Sequence, residues 1–90
     1  MPKYLIERTL PGGAKLTPAE LRAISAKSNG VLRELGPDVQ WQHSYVTGDK
    51  LYCVYVAKAP ELVREHARRG GFPVDSVSEI AAVIDPTTGD

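Results

Sequence analysis

The 90-residue chain reads as an α+β sandwich: a four-stranded antiparallel sheet with two helices on one face. Three observations predict it. Two stretches of helical period, Pro18 to Leu35 and Pro60 to Gly70, carry start and stop signals at their ends. Two strand-like runs, Val39 to Thr47 and Lys50 to Ala57, are separated by Gly48-Asp49, the length and chemistry of a hairpin loop. The elements follow in the order strand, helix, strand, strand, helix, strand, the split βαβ arrangement of ferredoxin-like folds.

The first strand spans Lys3 to Arg8, where Tyr4, Leu5 and Ile6 suit a sheet covered on both sides. Leu10-Pro11-Gly12-Gly13 then breaks the chain into a loop. The first helix opens on Thr17-Pro18-Ala19-Glu20. Thr17 can accept from the Glu20 amide, Glu20 can reach back to the cap, and Pro18 is preset for the first helical position. Leu21, Ile24, Ser28, Val31, Leu32 and Leu35 form its core-facing stripe. Gly36-Pro37 predicts a left-handed cap and a stop.

Counting by twos from the hairpin turn pairs Thr47 with Lys50, Tyr45 with Tyr52, His43 with Val54 and Trp41 with Val56. One face then carries Trp41, His43, Tyr45, Tyr52, Val54 and Val56. The other carries Gln42, Ser44, Val46, Leu51, Cys53 and Tyr55. In the second helix Leu62, Val63, His66 and Ala67 share the apolar side, and Glu65 stands one turn before Arg69. Gly70-Gly71 ends it. A last strand is predicted over Val77 to Ile84, with residues 85–90 a loose polar tail. The whole chain, 1–90, is read as one domain.

Right-handed crossovers place the first and third strands in the centre and the second and fourth at the edges. Both helices then lie on one face. The opposite face keeps Tyr and Val side chains in water, and burying it against a second copy in a two-fold dimer is the simplest remedy.

Composition excludes several classes. Eleven basic and 11 acidic residues cancel, which argues against a nucleic-acid partner or a polybasic membrane surface. Apolar residues are 42% of the chain, yet no run is long enough to span a bilayer. The start of the chain, Met-Pro-Lys-Tyr-Leu-Ile-Glu-Arg, lacks a signal-peptide pattern, because a charge follows its three-residue apolar stretch at once. The single cysteine, Cys53, has no internal disulfide partner. A cytoplasmic protein with a reduced thiol is the expectation.

Side chains with chemistry to offer are few. His43, His66 and Cys53 are the potential metal ligands beside scattered carboxylates, and none has C-x-x-C or H-E-x-x-H spacing. Each has a plain alternative. His43 can be a surface histidine on an edge strand. His66 can be tucked against the sheet and satisfied by a hydroxyl or carbonyl. Cys53 can be a small buried apolar residue. A Cys53 nucleophile would need a neighbouring base, which the register denies to His43 and leaves open for His66. Pro11-Gly12-Gly13 lacks a phosphate-binding pattern. Tyr4, Tyr45, Tyr52 and Tyr55 suit a dimer interface or the wall of a ligand pocket.

Four stretches, Met1–Gly13, Leu35–Ala57, Arg64–Ile80 and Val83–Thr88, resemble a family of small bacterial nickel-binding or nickel-responsive proteins, much of it described as a domain of unknown function. The distinctive parts are W-x-H-S-Y-V from Trp41 to Val46 and H-A-R-R-x-G-F-P from His66 to Pro73. The resemblance implies a ferredoxin-like fold, a homodimer and nickel held at the dimer surface, and the pattern reading above puts the joint at the open sheet face. The implied role is nickel sequestration or response, with no catalytic activity claimed for the family. The metal candidates it carries over are His43 and His66, then Cys53 and Tyr55. Two other readings stand beside it: a small-molecule pocket or enzyme near His66 and Cys53, and an association module without chemistry.

Overall fold

The computed structural model describes residues 1–90 and has the expected ferredoxin-like architecture. Strands β1 (Lys3–Thr9), β2 (Val39–Val46), β3 (Lys50–Ala57) and β4 (Ser76–Glu79) form one antiparallel sheet in the order β2-β3-β1-β4. Helices α1 (Pro18–Leu35) and α2 (Pro60–Gly70) pack together and against β2 and β3. Thus β1 and β3 are central, as right-handed crossovers require.

Local chemistry accounts for the elements. Thr17 Oγ1 accepts from the Glu20 amide at 3.2 Å, and Glu20 Oε1 accepts from the Thr17 amide at 3.1 Å, which closes the capping box of α1. The other end differs from expectation. Gly36 sits at φ 81°, ψ −167°, not in the left-handed helical region. Pro37 is the cause: a residue before proline is driven to extended ψ, and only glycine combines that ψ with positive φ. Gly71 does take the left-handed cap, at φ 69°, ψ 26°, and ends α2.

The core lies between sheet and helices. Tyr4 and Ile6 of β1, Val39 of β2, Cys53, Tyr55 and Ala57 of β3, and Val63 of α2 are its buried members. In β1 the period of two is complete: Tyr4, Ile6 and Arg8 are buried, while Leu5 and Glu7 on the other face are half-buried.

Two features depart from the sequence reading. Trp41 pairs with Tyr55, whereas His43 pairs with Val54, so β2 carries an extra residue, Gln42, between them. This β-bulge reverses the alternation. Trp41 therefore shares the helix-side face with Ser44, and its indole N–H donates to Ser44 Oγ at 2.8 Å. His43 stays on the open face. The last strand is also shorter than Val77–Ile84. It pairs with Tyr4 to Glu7 of β1, and the Ile80 amide makes a final bond to the Lys3 carbonyl at 2.8 Å. Beyond that point β1 offers no further backbone. The tail instead forms a short 3₁₀ turn, Pro86–Gly89, capped by the Asp85 carboxylate.

Candidate functional site

The sheet separates the chemistry of this protein onto two faces. On the helix side, four polar side chains form a chain through the core. Arg8 Nη1 donates to the Pro73 carbonyl at 2.7 Å, and Nη2 reaches the Tyr55 hydroxyl oxygen at 3.5 Å. The Tyr55 hydroxyl lies 3.4 Å from His66 Nδ1, and His66 Nε2 lies 3.1 Å from Ser28 Oγ. Arginine only donates, so the Tyr55 oxygen accepts from it, and the tautomer of His66 sets which group donates at Nδ1 and at Nε2.

Each position follows from a simple rule. Arg8 is inside because it continues the Tyr4, Ile6 alternation. His66 follows Val63 by three residues on the apolar stripe of α2. Ser28 is the small member of the α1 stripe, and its hydroxyl meets His66 where the helices cross. Phe72, just after α2, closes the group, with its ring 5.4 Å from His66 and 5.7 Å from the Arg8 guanidinium.

Electrostatics make this region unusual. Burial, reinforced by the Arg8 charge, holds the His66 pKa below its ordinary value, while a bond to Ser28 opposes the shift. Burial raises the Tyr55 pKa, with Arg8 opposing. Both groups are neutral near pH 7, which leaves Arg8 as the charge of the interior. It is only 3% exposed, and no carboxylate lies within 4.0 Å of it. A cavity of about 220 Å³ opens beside it, walled by Leu21 and Ile24 of α1, Trp41 and Val46 of β2, and Leu51 of β3. Arg8, Ser28, Ser44, Cys53, Tyr55 and Phe72 also line it.

The open face is different. His43 is exposed there, with its ring edge-on to Tyr45 at 5.2 Å, and Tyr45 is 60% exposed. Leu5, Tyr52 and Val56 are half-buried on the same face. At its far side Lys50 Nζ donates to Glu7 at 3.2 Å.

The four metal candidates are thus divided. His66 and Tyr55 meet on the helix side, Cys53 is buried on that same face, and His43 points the other way. No group of three His, Cys, Asp or Glu side chains within one chain is arranged to hold a metal ion. No hydrogen bond joins Cys53 to His66. Arg8 was not among the candidates. The signal was its place in β1, two residues after Ile6, where strand periodicity puts a charge indoors.

Comparison with known proteins supplies the family. The model of the nickel-responsive SCO4226-like proteins matches residues 4–80. The chain belongs to this family. A crystal structure of SCO4226 from Streptomyces coelicolor A3(2) has the same fold, with a TM-score of 0.76 at 15% identity, covering 91% of this chain and 99% of that one. No curated protein matches. No helix of this family member is long and apolar enough to cross a membrane.

Proposed function

We propose that this SCO4226-like protein is a homodimeric nickel-binding protein that takes up the ion at its open sheet face. The observation that carries the reading is the exposed His43 imidazole on that face, beside Tyr45. His66 is less suited, because both of its ring nitrogens already face partners. Cys53 and Tyr55 are buried on the helix side.

One imidazole does not complete a nickel shell, so the remaining donors come from the second copy and from water. Nickel accepts such mixed nitrogen and oxygen sets. Apposing two copies through Leu5, Tyr45, Tyr52 and Val56 would bury apolar surface and bring two His43 rims to one interface. The role that fits is sequestration of nickel or response to it, within the cytoplasm. Because imidazole must be deprotonated to ligate, nickel competes with protons for the site.

Calorimetry of the full chain with nickel chloride tests this. The expected result is heat of binding at neutral pH that is lost in His43→Ala. Absent heat, or heat unchanged by the substitution, removes His43 as a ligand.

A further inference from the structure

We infer that the cavity between α1 and the sheet binds a small amphiphilic carboxylate, its acid group on Arg8 and its apolar tail against Leu21, Ile24, Trp41 and Leu51. This goes beyond the nickel reading and does not depend on it, since the cavity lies on the other side of the sheet from His43.

Arg8 carries its charge inside the protein with hydrogen bonds but no carboxylate within 4.0 Å. Arginine is almost never fully buried without a partner, and an unpaired buried charge is costly. Arg8 is 3% exposed, yet it has only the Pro73 carbonyl at 2.7 Å and a long contact to Tyr55 at 3.5 Å. A guanidinium has five N–H donors in a planar fork that matches a carboxylate. The Phe72 ring, 5.7 Å away, offers partial compensation, but its charge is zero. The Tyr55 phenol beside it stays neutral because burial raises its pKa, and the His66 imidazole has no anionic form to offer. Among the cavity's lining residues Arg8 is the only charged one.

The rest of the wall describes the remainder of the ligand. It is mostly aliphatic and aromatic, with the Ser28, Ser44 and Ser25 hydroxyls as the small polar groups. Few precisely placed polar groups in an apolar cleft are the usual make-up of a small-molecule site. The volume is about 220 Å³. A 150 Å³ cavity holds benzene, so roughly 9 non-hydrogen atoms would fit here on the same scale. Inorganic phosphate suits it poorly: it has no tail for the apolar wall, and a doubly charged ion would need more donors than one fork and a hydroxyl.

Trp41 is the only tryptophan and lines the cavity, so its fluorescence reports occupancy. The full chain is titrated at pH 7 with phenylacetate, with its neutral isostere phenylacetamide, and with inorganic phosphate. Calorimetry runs in parallel. Phenylacetate should bind at least tenfold more tightly than either of the others. Arg8→Met should abolish that preference. Equal binding of acid and amide, tighter binding of phosphate, or a preference that survives in Arg8→Met would overturn the assignment. If Arg8→Met does not fold, the acid-to-amide ratio of the natural protein decides alone.

Discussion

Ser28 Oγ and His66 Nε2 lie 3.1 Å apart with both residues buried, so α1 and α2 are joined by a hydrogen bond inside the core. His66 is fully buried and cannot reach water in exchange. Removing one partner therefore leaves the other unsatisfied, which costs more than the net worth of the bond. Ser28→Ala should lower stability by about 1–3 kcal/mol, read from the urea midpoint at unchanged slope. A loss within a few tenths would mean that His66 finds another partner.

The same histidine gives the fold a dependence on pH. In the folded state His66 is held below its ordinary value of 6.5 by burial and by Arg8. The unfolded chain returns it to about 6.5 and so binds more protons in acid. The stability it contributes is complete above about 6.5 and is lost as the pH falls through 6.5 towards the folded value. Melting curves from pH 8 to pH 5 should show this decline, and His66→Gln should flatten it. Parallel profiles for the two proteins would assign the acid sensitivity elsewhere.

Gly70 and Phe72 are coupled by close approach. A Cβ on Gly70 would fall inside the contact distance of the Phe72 ring, which packs on the bare end of α2. Gly70→Ala must displace that ring from its place beside His66 and Arg8. Overpacking of this kind costs about 1–3 kcal/mol, more than the helix propensity gained by replacing glycine, about 1 kcal/mol. Thermal unfolding should show a net loss, and the Trp41 emission should shift as the cavity wall moves. A more stable Gly70→Ala would show that the ring relocates freely.

Much of the fold was legible because its signals are local. Thr17, Pro18 and Glu20 announce α1 by hydrogen-bonding geometry that any chain context preserves. Gly48-Asp49 sets the near end of the hairpin register, and His43 opposite Val54 follows by counting. The count fails at Trp41 because the bulge at Gln42 depends on how β2 curves over the helices, which no short-range rule reveals. The end of β4 depends on where its neighbour β1 runs out, also a non-local fact. The candidate site was half legible. His66 was placed against the sheet, and its hydroxyl partners Ser28 and Tyr55 come from other elements, 38 and 11 residues away. Arg8 was legible in principle, through the Tyr4, Ile6, Arg8 alternation, but a basic residue ending a strand usually faces water.

The ion pairs of α2 illustrate surface chemistry without a site. Arg68 and Arg69 both bond the Glu65 carboxylate, with Arg69 Nε at 2.9 Å, and together they hold its pKa down to about 2. Such exposed pairs contribute little to stability. Both arginines have carboxylate partners, Arg69 reaching Glu34 of α1 at 3.9 Å as well, in contrast to Arg8.

The central claim is that the open face carrying His43 and Tyr45 is closed by a second copy that completes a nickel site. Sedimentation velocity of the full chain, with and without nickel, tests it most directly. The account predicts a species of twice 9.8 kDa, held more tightly when nickel is added and insensitive to nickel in His43→Ala. A single 9.8 kDa species under both conditions would contradict it.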